Sequence, residues 1–281
     1  MIAAAPIAWY GGKARLAGRI AALLPDHHTY VEAFGGAGAV LFTKEPANLE
    51  VYNDVDSGLV TFFRALRDRP DALQRALTLT PYARQEFTIC RDTWKSVTGD
   101  VERARRWYVR MRQAFGCSAS VSWGYERDGS LRGGTRARSF ASTVDELHRF
   151  AERFRTVQIE HDDWQTVLDR YDSPRACFYL DPPYHPATRG RLSRSNGYRH
   201  ELSVADHERL VQRVLHMQAS IVLSGFDHPS YAVLEQDGFE RLEFDHHITA
   251  SLAGRRPVKE VIWRRIAAGQ NLTPTLWDTA G

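Results

Sequence analysis

One succession near the N-terminus restricts the fold more than any other feature: strand, glycine turn, helix, strand, acid. Thr29 to Phe34 (TYVEAF) has the composition of a short buried strand. It runs into Gly35-Gly36-Ala37-Gly38, and then into Ala39-Val40-Leu41-Phe42, the start of a helix. Leu49 to Asp54 (LEVYND) is a second strand ending in an acid, and Leu59 to Arg67 is helical. Such a succession opens a nucleotide-binding α/β sheet.

The sheet resumes at Thr156 to Glu160. Ala176 to Leu180 (ACFYL) is a continuous apolar run, the pattern of a central parallel strand buried on both faces. Ser203 to Met217 is an amphipathic helix, Ser220 to Ser224 a further strand, and Tyr231 to Glu235 a short helix. Phe239 to Ile248 and Val258 to Arg265 suit a closing antiparallel pair. Between residues 70 and 155 the rhythm breaks, with helical spacing in Val101 to Phe115 and Val144 to Phe154. Gly116 to Phe140, rich in Gly, Ser and Arg, is expected as an irregular or hairpin loop. The expected organisation is therefore a Rossmann-like α/β catalytic domain from residues 1–69 and 156–266. A mainly helical subdomain at 70–155 is inserted in it, and a polar tail at 267–281 follows.

Composition narrows the setting. A chain of 281 residues, 43% hydrophobic and 25% charged, can bury a full core without staples. Its three cysteines, Cys90, Cys117 and Cys177, are odd in number and lack CxxC spacing. A disulfide framework or zinc site is not expected, and a reducing cytoplasm is the default. No stretch is long and apolar enough to span a bilayer, and Met1 to Pro6 lacks the pattern of a signal peptide. The adjacent pairs His27-His28 and His246-His247 do not have metal-ligand spacing, so no metal is expected. The net charge is only +3, yet arginines cluster in two loops. Arg127, Arg132, Arg136 and Arg138 lie in one, and Arg189, Arg191, Arg194 and Arg199 in the other. Arginines among glycines suit a phosphate backbone, and they equally suit a solvated surface.

Two places carry chemistry. In Phe34-Gly35-Gly36-Ala37-Gly38 the glycines allow a tight turn and close approach of a ligand to the backbone. Asp54, at the end of the next strand, would accept hydrogen bonds from ribose hydroxyls; alone, it would equally be a helix cap or turn residue. The second place is Asp181-Pro182-Pro183-Tyr184, at the carboxyl end of the apolar strand, where ligands bind in open α/β sheets. The prolines force an extended backbone, with carbonyls free to accept. The Asp181 carboxylate and the Pro182 carbonyl can together accept both hydrogens of an amino group, and the Tyr184 ring can stack on a flat base.

At this point the sequence resembles the Dam-type (alpha-group) DNA adenine-N6 methyltransferases. Trp9-Tyr10-Gly11-Gly12-Lys13 resembles the family's W-x-G-G-K element, and Glu32 to Gly38 its E-P-F-x-G-x-G loop. Asn53-Asp54-Val55-Asp56 resembles N-D-x-N, and Asp181 to Tyr184 matches D-P-P-Y. Tyr198 to Leu210 resembles the segment entering the next helix. Arg255 to Val261 resembles the late R-x-x-x-x-E-V strand. Ala33 stands where the family has proline, and Asp56 where it has asparagine; neither removes a group the chemistry needs. The resemblance implies S-adenosyl-L-methionine as cofactor, lined by Trp9, Tyr10, Lys13, Phe34, Gly36, Gly38, Asp54, the pair Asp163-Trp164 and Asp181. It implies catalysis by Asp181, Pro182, Pro183 and Tyr184 on the exocyclic amine of adenine in double-stranded DNA, with the base flipped out of the duplex.

In the irregular loop, Trp123 and Tyr125 are the better candidates for DNA contact; for Trp94 and Trp107 core packing weighs at least as much. A monomer is expected. Alternatives are the same transfer to cytosine N4 or to RNA adenine, or a catalytically silent DNA-binding protein on this scaffold.

Overall fold

The computed structural model describes residues 5–9, 11–115, 122–126, 135–188, 200–247 and 257–271. Along the chain run α1 (Ala17–Ala21), β1 (Thr29–Glu32), α2 (Ala39–Thr43), β2 (Leu49–Asn53) and α3 (Ser57–Asp68). Then come α4 (Pro70–Thr78), α5 (Arg84–Thr93), α6 (Asp100–Arg112), α7 (Arg136–Asp145), α8 (Leu147–Phe154) and β3 (Gln158–Glu160). The last third holds α9 (Trp164–Tyr171), β4 (Ala176–Leu180), α10 (Val204–Leu215), β5 (Ser220–Phe226), α11 (Ala232–Gln236), β6 (Glu240–His247) and β7 (Pro257–Arg265).

Among the described residues the sheet has seven strands in the order β3-β2-β1-β4-β5-β7-β6. β1 pairs parallel with β2 on one side and β4 on the other, and β4 pairs parallel with β5. β7 runs antiparallel to both β5 and β6. This is the Rossmann-like α/β sheet with a closing antiparallel pair that the sequence pattern implies. The strand order reverses between β1 and β4, and ligands in such sheets bind outside the carboxyl ends at the reversal.

The chain divides into two compact units. The first comprises Met1–Ala17, Gly36–Thr43 and Asp54–His161; the second comprises Gly18–Gly35, Lys44–Asn53 and Asp162–Gly281. The helices within residues 70–155 belong to the first, together with α2 and α3. Its core is aromatic. Phe63 stacks on Phe154 at 4.8 Å, Phe62 stacks on Tyr108 at 5.2 Å, and Phe42 meets Phe150 edge-on at 5.0 Å. Trp94 and Trp107 are both buried, so these tryptophans pack in the core. α6 stops at Arg112, earlier than its periodicity predicts, because Ala114 pairs antiparallel with Trp123. The predicted loop through Phe140 ends at Thr135, whose side chain caps α7 by accepting from the Arg138 N–H. The single helical stretch expected up to Phe154 is divided at Glu146 into α7 and α8.

In the second unit the sheet has two unlike faces. Val31, Val51, Phe178, Leu180, Ile221 and Leu223 pack against Trp164, Val167 and Leu168 of α9 and Leu210, Val211 and Val214 of α10. Alternation along the strands sends Tyr30, Glu32, Glu50, Cys177, Tyr179 and Ser224 to the opposite face. Buried polar groups there require partners. Tyr30 donates to Glu32 Oε1 at 2.7 Å, and Lys44 bonds Glu50 Oε1 at 2.6 Å while its Nζ lies 4.3 Å from the Tyr30 ring centroid. Burial raises the Cys177 thiol to about 12, so it remains a protonated packing group. The first residues of the expected polar tail are anchored: Ala267 N–H donates to Ser220 Oγ, and Asn271 O accepts from Asp26 N–H. Residues 272–281 lie outside the described residues. Among the described residues no helix is long and apolar enough to cross a membrane.

The fully buried Asn53 ties the strand ends. Its Nδ2 donates to Ala33 O at 2.9 Å and to Asp162 O at 3.1 Å, and its Oδ1 accepts from Asp162 N–H at 2.9 Å. Truncation strands three backbone groups, each worth on the order of 1 kcal/mol or more when left without a partner. Asn53→Ala should therefore lower the unfolding free energy by about 2–4 kcal/mol in urea titrations; a loss below about 0.5 kcal/mol would refute the role given to this amide.

Candidate active site

The carboxyl ends of β1 and β4 flank the strand reversal. Immediately after β4 stands Asp181, half-buried, with Oδ1 accepting from Ser224 Oγ at 2.9 Å. Ser224 is buried near the end of β5, one residue past the Leu180–Leu223 pair that sets the β4–β5 register. Pro182 is buried and Pro183 half-buried. The Tyr184 hydroxyl donates to the buried Glu260 carboxylate, 2.9 Å from Oε2, and its ring packs on Phe226 at 4.1 Å between centroids. Phe226 and Glu260 are themselves register partners of β5 and β7. The tyrosine ring is thus held at its edge and on one face before any base arrives. Behind it His185 stacks on His228 at 3.7 Å, with His207 at 5.0 Å.

Phe34, after β1, is half-buried and packs at 6.2 Å on Trp164, which is itself buried in the core. Asp163 caps α9, accepting from Gln165 N–H at 2.9 Å. The acid-plus-aromatic pair is therefore also a helix cap and a core residue. Gly35 lies so close to Tyr52 that a Cβ would fall 2.2 Å from its ring, which excludes any side chain there.

Within the first unit, Gly36, Asp54 and Trp9 come together. Gly36 adopts φ +49°, and a Cβ on it would sit 3.0 Å from the Trp9 ring, so the turn needs glycine for both conformation and room. Gly38 is also left-handed, at φ +68°. Asp54 Oδ2 accepts from Gly36 N–H at 2.9 Å, and Oδ1 accepts from Asp56 N–H at 2.8 Å. Asp56 in turn caps α3 through Gly58 N–H and Leu59 N–H. A carboxylate has about four acceptor sites, so two backbone donors leave capacity for a ligand diol. Lys13 is buried, with Nζ donating to Gly11 O at 3.2 Å. Tyr10 lies outside the described residues.

Of the residues expected at nucleic acid, Trp123 is half-buried. Its indole N–H donates to Gln113 Oε1 at 3.3 Å, and Tyr82 packs beside it at 5.5 Å. Tyr125 stacks on Trp123 at 6.0 Å and is 46% exposed. The Arg84 guanidinium, not selected from the sequence, lies 4.8 Å from the Trp123 ring and 5.2 Å from the Tyr125 ring. Arg136 turns inward to Glu126 at 3.7 Å and to the Phe115 ring at 5.6 Å, whereas Arg138 is exposed. Phe115, 60% exposed, was also not selected. Arg127, Arg132, Arg189, Arg191 and Arg194 lie outside the described residues.

Sequence reasoning missed Ser224, and it gave Glu260 and Asn53 no individual role. A serine closing an otherwise apolar strand was the one local signal for the first. The other two were visible only as members of motifs.

A family model described as D12 class N6 adenine-specific DNA methyltransferase matches residues 9–237, in agreement with the resemblance read from the motifs. A curated relative, the Type II methyltransferase M1.LlaDCHI of Lactococcus lactis subsp. cremoris, is 37% identical over 71 residues. That match covers 25% of this chain and 25% of the relative, so the chain matches only a quarter of the relative's length. Similar solved structures include an rRNA methylase from Streptococcus thermophilus, with 10% identity, 89% of this chain and 95% of that chain covered, and a TM-score of 0.33. The 23S rRNA methyltransferase ErmE matches at 10% identity over 93% of this chain and 70% of its own, with a TM-score of 0.38.

Burial raises the Asp54 carboxyl from 3.8 to about 6, against the opposing hydrogen bonds of Asp56 and Gly36. A carboxyl that binds its proton more tightly when folded destabilises the protein once both states ionise. The Asp54 contribution to stability should therefore decline as pH rises from about 4 through 6 and level off above. In Asp54→Asn this component vanishes, so the variant should gain on wild type across that window in paired urea titrations. A constant difference between pH 4 and 7 would contradict the assignment.

Proposed function

Since the chain belongs to the D12 class N6 adenine-specific DNA methyltransferase family, we propose that it transfers a methyl group from S-adenosyl-L-methionine to the N6 amine of adenine in DNA, with Asp181, Pro182, Pro183 and Tyr184 at the reacting amine. The observation that carries this is the seat of Asp181: it follows β4, beside the strand reversal, with its carboxylate tethered through Ser224 and the fixed Tyr184 ring three residues on.

Bound S-adenosyl-L-methionine supplies a sulfonium methyl already activated for transfer. Trp9, Tyr10, Lys13, Phe34, Gly36, Gly38 and the pair Asp163-Trp164 would line it, and Asp54 would accept its ribose hydroxyls. The residues present fit that ligand: the carboxylate keeps acceptor capacity beyond its two backbone donors, and Gly36 keeps the space that a Cβ would fill against Trp9.

The chain must then make a poor nucleophile react. The lone pair of an exocyclic adenine amine is delocalised into the ring. Acceptance of its two hydrogens by the Asp181 carboxylate and the Pro182 carbonyl pulls the nitrogen toward tetrahedral geometry and localises the pair for attack. The C–N bond would form as the methyl carbon–sulfur bond breaks and its electron pair goes to sulfur, and the methylated amine would lose one proton to solvent by way of the Asp181 carboxylate. Positioning and fixed acceptors provide the acceleration. The target atom is inaccessible in a stacked duplex, so the base enters flipped, with Tyr184 as its stacking partner.

Residues 70–155 form the target-recognition segment. Trp123 and Tyr125, with the sequence neighbours Arg127, Arg132, Arg136 and Arg138 and the arginines Arg189, Arg191 and Arg194, would hold the strand through its phosphates and unstacked bases.

Asp181→Ala should retain cofactor binding in calorimetry and lose methyl transfer to unmethylated genomic DNA by at least about a hundredfold, as expected when positioned acceptors are removed. Turnover near wild type would sink the assignment. Nucleoside analysis of the product distinguishes N6-methyladenine from N4-methylcytosine, and matched RNA tests the alternative polymer. DNA affinity should fall steeply as salt is raised from about 50 to 200 mM; a flat response would remove the two arginine loops from the interface.

A further inference from the structure

We propose that Ser224, braced by Tyr179, is a positioning residue that sets the plane of the Asp181 carboxylate for methyl transfer; this rests on the role of Asp181 given above. β4 and β5 are neighbouring parallel strands in register at Leu180 and Leu223. The next residue on each, Asp181 and Ser224, therefore leaves the sheet side by side. Alternation puts both side chains on the face that carries Tyr179. Ser224 is 1% exposed, so its hydroxyl has no water to fall back on.

Three oxygens surround the Ser224 hydroxyl: Asp181 Oδ1 at 2.9 Å, the Tyr179 hydroxyl at 3.2 Å and Leu180 O at 3.5 Å. A hydroxyl has one proton and two acceptor lone pairs. The nearest acceptor carries charge, and a hydrogen bond to a carboxylate is the stronger kind. Ser224 gives its proton to Asp181 and accepts from Tyr179. The direction that gives the carboxylate the stronger bond is Tyr179 to Ser224 to Asp181.

The consequence lies in orientation. The terminal torsion of an aspartate is broad and roughly two-fold, so the carboxylate plane is not set by its own rotamer. A hydrogen bond from a buried hydroxyl on the next strand sets it. An amine N–H is best received near the plane of the acceptor group. A carboxylate free to rotate meets the amine in the right plane only part of the time. Apolar residues dominate β4 and β5, and a hydroxyl pair there has no packing advantage over Phe and Ala. Its use is to reach the edge where Asp181 stands.

The test is single-turnover methylation with enzyme in excess over unmethylated plasmid DNA and tritium-labelled S-adenosyl-L-methionine. Ser224→Ala should slow the methyl-transfer rate about 10- to 100-fold, the range that a small misplacement of a reacting group produces. Cofactor and DNA dissociation constants should stay near wild type, and the melting temperature should fall by only a few degrees as the buried Tyr179 hydroxyl loses this bond. Tyr179→Phe should slow it less, since Ser224 keeps its own bond to Asp181. The Ser224→Ala/Tyr179→Phe double variant should be no slower than Ser224→Ala alone, because Tyr179 acts only through Ser224. Ser224→Thr, which keeps the hydroxyl, should recover most of the rate.

A near-wild-type rate in Ser224→Ala, or losses that multiply in the double variant, would overturn the relay. So would a Ser224→Ala defect that appears only in binding or melting. If Asp181→Ala is inactive and Ser224→Ala is unimpaired, only the positioning role fails. If Asp181→Ala is active, the reading of the site fails with it.

Discussion

The amide of Asn53 is the interaction on which the rest of the carboxyl edge depends. From the end of β2 it holds Ala33 O, just past β1, and both the N–H and the C=O of Asp162, just before α9. Three separate segments are bound through one side chain that has two donors and one good acceptor oxygen. No apolar residue could do this, because the groups it satisfies are backbone groups left over where the strands stop pairing. Phe34 follows Ala33 by one residue, and Trp164 follows Asp162 by two, so their contact inherits its geometry from the same clamp.

The two faces of the sheet answer different demands. One face is apolar and packs α9 and α10, which is where burial stabilises the second unit. The other carries hydroxyls, carboxylates and a thiol, and such a face is stable only if each group has its partner. The Lys44–Glu50 pair and the Tyr30–Glu32 bond meet that demand at the interior. Toward the carboxyl edge the same face ends in Tyr179, Ser224 and Asp181. The polar face is therefore continuous with the edge where Asp181 stands. β7 repeats the pattern, delivering the buried Glu260 to the Tyr184 hydroxyl.

Whatever is contiguous in sequence was legible there. The apolar run into Asp181-Pro182-Pro183-Tyr184 announced a buried strand and where it ends, and the strand–glycine turn–strand opening placed β1 and β2 within two residues of where they lie. What depends on register between strands was not legible. Ser224 becomes a partner of Asp181 only because Leu180 faces Leu223, and Glu260 a partner of Tyr184 only because it faces Phe226. Local spacing carries no such information. The end of α6 was placed three residues too far along for the same reason, since the pairing of Ala114 with Trp123 that ends it is not local. The cap at Thr135, by contrast, was a readable N-terminal signal that the density of Gly, Ser and Arg obscured.

Asp54 illustrates how a site can be recognised by what it costs the fold. A carboxylate at a helix entrance would be expected to stabilise, as the buried Asp56 does two residues later by capping α3. Asp54 instead is raised to about 6 by burial, even though two backbone N–H groups favour its charged form. Desolvation outweighs the hydrogen bonds, so the ionised group is less comfortable folded than unfolded. An asparagine would avoid that penalty and still accept a backbone N–H. The ribose role proposed above would give the acid a use, since a diol would bring hydroxyl donors to a carboxylate that keeps acceptor capacity. The neighbouring Gly36 makes the same point sterically, since a side chain there would close the space against Trp9. Under that proposal a bound ligand would offset both the unfavourable electrostatics and the tight turn.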